Sequence, residues 1–510
     1  MKINPNTMLL LVGLPLIVYV SSAFAHTDVT AKQARELIDS TDDLIVVDVR
    51  EPHEYNSTGG HIPGALNYPL NSGVLQEKYK ELPIDGPILV VCRSGGRSNR
   101  AANFLDSVGF SMVYDMLRGM SAWKWETETD VDPDSKYGGG TGEPNDPYHI
   151  STFEDLIVLG ESPEDYDKHF IQTADIDLDP NLPGRKVFDK AVIAPDTNDV
   201  ENWFQGIPFT GVFDGNGHTI SHLTITGDLD RYYYVGLFGQ VAFDAELKNL
   251  GVVDANIIMG GRYIGGLVGG NSGVVTKCSS TGAVSGGSHV GGLVGGNSGS
   301  ITTSYSTSTV NGVFLLGGLV GESSGSITAS YSTGDVIGDE NLGGLVGINN
   351  GGNITMSYST GTVVGDDAAV GGLVGQNVSG SISSCFWDME TSGQTTSDGG
   401  TGETTAAMQT ASTFLEAGWD FVGETENGTE DIWTICEGTN YPRFVWQISV
   451  GDFLCPDGIT MDDFFFLLEF WLNDNCDSSN DYCQGTDLDQ SGTVDEDDLE
   501  IFFESWLTEE

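Results

Sequence analysis

Five copies of Gly-Gly-Leu-Val-Gly, starting at Gly265, Gly291, Gly317, Gly343 and Gly371, constrain this chain more than any other feature, with spacings of 26, 26, 26 and 28 residues. A period of this size marks a stacked array, in which each unit is one short supersecondary element that buries its apolar side only against its neighbours. A second block recurs in phase, Gly299-Ser300-Ile301-Thr302-Thr303-Ser304-Tyr305-Ser306-Thr307 and Gly325-Ser326-Ile327-Thr328-Ala329-Ser330-Tyr331-Ser332-Thr333. No unit holds enough large apolar residues to fold alone. Stacked coils would pair backbones about every 4.8 Å and line up Leu and Val in columns.

The expected architecture is a right-handed parallel β-solenoid over 235–390, with a degenerate first copy at Val235-Gly236-Leu237-Phe238-Gly239. These blocks resemble the GLUG repeats of large exported bacterial proteins. Residues 148–234 read as a β-rich lead-in, and 391–448, with Trp419, Trp433 and Trp446, as a segment capping the solenoid's open edge; an aromatic sugar platform is the alternative there. After Lys277 the only basic residue is Arg443, so the repeats lack the cations a polysaccharide lyase needs. Asp335, Asp339, Glu340, Asp366 and Asp367 fall where coils should turn and read as solvated turn residues. Spacer, adhesive and glycan-binding roles stay open for the solenoid.

Chemistry concentrates upstream. Ile88-Leu89-Val90-Val91 after Pro87 reads as a buried strand, and Ala101, Phe104, Leu105 and Val108 recur at helical spacing before Gly109. Between them lies Cys92-Arg93-Ser94-Gly95-Gly96-Arg97-Ser98, a glycine-rich turn leading into a helix N-terminus, where unpaired amides and two arginines favour a thiolate. Together with Leu44–Glu51, Gly60-His61-Ile62-Pro63-Gly64-Ala65 and Leu117-Arg118-Gly119-Met120-Ser121-Ala122-Trp123, this loop resembles the active site of rhodanese sulfurtransferases, over residues 26–127.

The resemblance implies an α/β domain in which Cys92 is the nucleophile, carrying sulfane sulfur as a persulfide from a thiosulfate-type anion to cyanide or a thiol. Arg93, Ser94, Gly95, Gly96 and Arg97 would cradle the anion, and Asp48, Arg50 and His61 would support the loop. Four residues separate Cys92 from Arg97. A cysteine phosphatase needs five, so the smaller bowl favours sulfur. No cofactor is implied for the catalysis.

Residues 1–25 carry Lys2, an apolar run from Met8 to Val20 and Ala23-Phe24-Ala25, the pattern of a signal peptide cleaved before His26. Export to the periplasm, cell surface or medium is the expectation, with no membrane-spanning segment after cleavage. Residues 128–147, polar and rich in glycine, read as a linker. The formal net charge of −53 makes nucleic acid an implausible partner.

The last segment, 449–510, contains Asp487-Leu488-Asp489-Gln490-Ser491-Gly492-Thr493-Val494-Asp495-Glu496-Asp497-Asp498. Oxygen donors from Asp487, Asp489, Ser491, the Thr493 carbonyl, Asp495 and Asp498, with Gly492 at the sharp turn, suit calcium. Phe470-Trp471-Leu472 and Ser505-Trp506-Leu507 show a duplication, and the segment resembles a type I dockerin, a small α-helical module of EF-hand type. That resemblance implies a cohesin-like or cell-surface partner. The earlier half has Leu454 and Pro456 where donors belong, which weakens the case for a second ion. Among the seven cysteines, Cys476 pairs locally with Cys483 or Cys455, while Cys278 and Cys385 stand about four coils apart and are too distant to bond.

Two functions from different classes follow. One is an exported sulfurtransferase extended by a solenoid and tethered by a calcium module. The other is a surface scaffold, adhesin or glycan-binding protein whose N-terminal domain is not catalytic.

Overall fold

Short β-branched runs separated by glycine turns can satisfy their backbone groups only by pairing with other runs, and in this chain nearly all pairing is parallel. The computed structural model describes residues 26–508 apart from 42, 51, 57–58, 72, 129–135, 198–202, 228–232, 366–368, 455–457, 477–480 and 490. The expected signal peptide, 1–25, lies outside the described residues, as do Asp366 and Asp367. No helix among the described residues is long and apolar enough to cross a membrane. The chain divides into two units.

In the first unit, β1 (Thr27–Val29), β2 (Ile45–Asp48), β3 (Leu66–Asn67), β4 (Ile88–Val91) and β5 (Val113–Met116) form a parallel sheet in the order β1-β5-β4-β2-β3. The most apolar run, β4, lies at the centre, and all four of its residues are buried. The helix Ala31–Ser40 starts from a capping box in which Thr30 accepts from the Gln33 amide and Gln33 reaches back to Thr30. A second helix, Gly96–Ser107, follows β4 directly, and its Ala101, Ala102 and Leu105 pack into the core with Val47, Val90 and Val113.

The second unit stacks its repeats into two six-stranded, one nine-stranded and one thirteen-stranded sheet. Residues one period apart are register partners, as in the column Val268, Val294, Val320, Val346 and Val374. Every member of that column is fully buried, as are the Leu residues beside it, from Leu267 to Leu373. Polar ladders run parallel to the apolar ones: Asn271 donates to Asn297 at 2.9 Å, and Asn349 to Asn377 at 3.0 Å. The strands Tyr148–Ile150, His169–Gln172 and Val212–Asp214 continue the nine-stranded sheet upstream of the repeats.

The paired glycines of each repeat have a steric cause. A Cβ on Gly318 would lie 2.1 Å from Ser332 Oγ and 2.2 Å from the Gly344 carbonyl oxygen. Gly318→Ala should therefore wedge two coils apart and lower solenoid stability by about 1–3 kcal/mol, read as a shifted urea midpoint.

Three features differ from the sequence reading. Residues 136–147 pack rather than link, since Tyr137 is 3% exposed and a Cβ on Gly140 would meet the Pro147 carbonyl oxygen at 1.9 Å. Those glycines permit close approach, not flexibility. The segment after the repeats closes more than an edge. Thr401–Glu403 pairs with Phe386–Asp388, whereas Phe414, Trp419, Trp433 and Phe444 cover a column of stacked tyrosines, Tyr305, Tyr331 and Tyr358, with ring centroids 5.0 Å apart. Trp419 and Trp433 are fully buried, so neither offers a sugar platform; Trp446 remains 38% exposed. Asp335 and Asp339 are exposed between strands, and Glu340 is exposed as the first residue of the strand Glu340–Gly343.

Candidate functional site

A parallel α/β sheet brings the C-terminal ends of its strands to one edge, where the following loops meet. Cys92 follows the central strand β4 directly, and Gly95 takes φ +112° to turn the chain into the helix Gly96–Ser107. The Gly95 amide donates to Cys92 Sγ at 3.1 Å. The thiol in turn donates to Ser98 Oγ at 3.5 Å, and that hydroxyl passes its own proton to the Gly95 carbonyl at 2.8 Å. The sulfur is thus held in the mouth of the loop, facing a backbone donor, at the positive end of a twelve-residue helix. Cys92 is 1% exposed, whereas Arg93 and Ser94 on the rim are exposed and Gly96 and Arg97 are partly buried.

A second segment seats the loop. The Met120 amide donates to the Cys92 carbonyl at 2.8 Å and the Ser121 amide to the Arg93 carbonyl at 2.9 Å, while Ser121 Oγ donates to the same oxygen at 2.9 Å. Gly119, at φ +48°, leaves no room for a side chain, because a Cβ would lie 2.2 Å from the Cys92 carbonyl oxygen. Gly119→Ala should displace the sulfur and lower any sulfur transfer about 100-fold, with the helical circular dichroism retained.

Of the three supporting residues, Asp48 and Arg50 lie at the same sheet edge. Arg50 grips the Asp48 carboxylate through Nε at 3.0 Å and a terminal guanidinium nitrogen at 2.7 Å, and the pair is buried. Asn67 ties both backbones together, donating to the Arg50 carbonyl at 2.8 Å and the Asp48 carbonyl at 3.2 Å. This geometry braces the end of β2 beside Cys92. His61 is 1% exposed. The loop glycine Gly95 was expected in the sequence, whereas the steric role of Gly119 was not. Gly119 looks like any turn glycine, and the Cys92 carbonyl that it approaches comes from another segment.

The C-terminal loop gathers Asp487, Asp489 and Asp498 so that one carboxylate oxygen from each lies within 4.8 Å of the others. The amides of Ser491 and Gly492 donate to Asp487 at 3.0 and 2.9 Å, and Gly492 takes φ +99°. Asp498 accepts from the amides of Leu488, Asp489 and Asp495. Burial, reinforced by the neighbouring carboxylates, pushes both Asp487 and Asp498 up to about 6. Three converging carboxylates, two of them buried, fit a hard cation. Ser491 Oγ donates to the Thr493 carbonyl at 3.1 Å, and Asp495 is partly buried. In the earlier half, Asp463 occupies the place of Asp498, accepting from the Phe453 and Leu454 amides, with no comparable carboxylate cluster among the described residues. Cys476 is bonded to Cys483; Cys278 and Cys385 are free and buried, and burial raises both thiols to about 12.

Comparison with known proteins bears on both units. The profile described as a rhodanese-like domain matches residues 30–126. Over 102 residues the chain is 36% identical to the thiosulfate sulfurtransferase GlpE of Pseudoalteromonas translucida, covering 20% of this chain and 90% of that protein. This chain belongs to the rhodanese family. The rhodanese domain is also 34% identical over 107 residues to YrkF of Bacillus subtilis, covering 21% of this chain and 56% of that protein. The GLUG motif matches residues 260–285 and 338–364. Halomucin of Haloquadratum walsbyi is 34% identical over 149 residues, which are 29% of this chain and 2% of that protein.

Proposed function

We propose that the chain is an exported sulfurtransferase in which Cys92 carries sulfane sulfur. The observation that carries this reading is the Cys92–Ser98 loop, with its sulfur facing the Gly95 amide at a helix N-terminus and arginines on either side. The thiolate attacks the outer sulfur of thiosulfate, the S–S bond breaks, and sulfite leaves with the electron pair. Arg93 and Arg97, with the loop amides, offset the anion's charge. Cyanide or a thiolate then takes the outer sulfur from the persulfide and restores the thiolate.

The remaining segments are proposed as the delivery system. The GLUG-type solenoid acts as spacer, and the dockerin-like module binds one calcium ion through Asp487, Asp489, Ser491, the Thr493 carbonyl, Asp495 and Asp498, docking on a cohesin-like or cell-surface partner. Calcium there would be structural. Thiosulfate-dependent thiocyanate formation by the full chain, with a mass increase of one sulfur atom on Cys92, tests the catalytic reading. Absence of both with several sulfane donors would leave the scaffold reading, in which the repeats and calcium module carry the function.

A further inference from the structure

The edge of the rhodanese sheet farthest from β3 holds a polar cluster that sulfur transfer does not use. In β1, Asp28 is the register partner of Asp115 in β5, so the two carboxylates stand side by side on one sheet face. His26, two residues before Asp28, joins them: donor atoms of His26, Asp28 and Asp115 lie within 4.8 Å of one another. Asp115 is 1% exposed, and by hydrogen-bond geometry neither of its oxygens has a partner among the described residues. The hydroxyl of Ser98, a neighbour of Asp115, donates its hydrogen bond to the Gly95 carbonyl. A buried carboxylate without a donor is costly unless a cation or a proton faces it.

The orientation of His26 narrows the choice. Its Nδ1 is 2.8 Å from Asp106 Oδ2, on the helix Gly96–Ser107, and its main-chain N–H donates to the same oxygen at 2.8 Å. In the tautomer that donates from Nδ1 to Asp106, Nε2 is a free acceptor 3.6 Å from Asp28 Oδ1. A carboxylate that fixes one ring nitrogen while the other faces acidic oxygens is the arrangement found around metal-ligating histidines.

We propose that His26 Nε2, Asp28 and Asp115 bind a divalent cation of the zinc class. One nitrogen and two carboxylates leave a fourth position for water, and the nitrogen donor favours a borderline ion over calcium or magnesium, which take oxygen donors. Asp28 is half exposed and opens the cluster to solvent, while Asp115 lies at its inner end. The ion would pin the three-residue edge strand β1 to β5 and to the helix behind it.

The test uses the full chain, stripped with a chelator and then held in excess calcium so that the C-terminal carboxylates are occupied. Zinc chloride is titrated by calorimetry. The wild type should take up one more zinc ion than Asp28→Asn and His26→Ala, and Asp106→Asn should weaken that site about 10- to 100-fold. Zinc should also raise the melting temperature of the wild type, and not that of Asp28→Asn, whose half-exposed side chain can be replaced without disturbing the core. Equal zinc uptake by the wild type and all variants overturns the proposal. So does no uptake by the wild type.

Discussion

Cys92→Ser is expected to abolish thiosulfate-to-cyanide transfer, by on the order of 1000-fold or more, and to eliminate the one-sulfur adduct, while leaving the melting temperature nearly unchanged. A serine hydroxyl is close to the thiol in shape but is neither ionised near neutral pH nor able to hold a sulfane sulfur. The hydrogen bonds around position 92 need no thiol, since the Gly95 amide has an oxygen acceptor in the variant as readily as a sulfur one. Comparison with Gly119→Ala separates chemistry from placement: the serine variant loses the adduct altogether, whereas the alanine variant forms it slowly. Residual turnover by Cys92→Ser above the buffer rate would remove Cys92 from the reaction.

Cys92 is nearly inaccessible, and this shapes what the assay reads. The donor must cross a rim formed by the exposed Arg93 and Ser94 in a chain whose net charge is −53. About half of all lysines and arginines lie within 26–127, 10 against 14 acidic residues, so the rhodanese domain carries little of the chain's negative charge. The attraction that a small dianion meets there is local, from Arg93 and Arg97 beside Cys92.

Features written in contiguous residues were legible in the sequence. The strand, turn and helix around Cys92 follow from an apolar run, two glycines and a helical period, and the solenoid follows from its repeat length. What could not be read are the juxtapositions that tertiary pairing creates. Asp28 and Asp115 become neighbours only through parallel register between β1 and β5, with 86 residues between them. Gly119 resembles any turn glycine until the Cys92 carbonyl is found against it. Composition misled at 136–147, where glycine density signals close packing as readily as freedom. Columns were expected of Leu and Val, and the second block adds one of tyrosines, Tyr305, Tyr331 and Tyr358. Nothing local showed that Trp419, Trp433 and Phe444 would fold back to cover it.

Removal of calcium is expected to have the other large effect, confined to the C-terminal module. Its core is small, with Ile459, Leu467, Val494 and Phe502 buried beside the Cys476–Cys483 bond. Against that core stand the mutually repelling Asp487, Asp489 and Asp498, of which Asp487 and Asp498 are almost wholly removed from solvent. A bound cation turns that repulsion into ligation, and its binding free energy then adds to folding. Addition of EGTA should melt the module, seen as loss of near-ultraviolet circular dichroism from Trp471 and Trp506 and as new proteolytic cleavage within 449–510, with sulfur transfer unaffected. Asp489→Asn, which keeps the side chain's volume and removes one charge, should weaken calcium binding at least 10-fold. Asp452→Asn in the earlier half should leave a stoichiometry of one. A stoichiometry of two in the wild type that falls to one in Asp452→Asn would show that the earlier half binds calcium despite Leu454 and Pro456. Resistance of the module to EGTA would mean that the disulfide and the backbone donors to Asp487 and Asp498 suffice to hold it.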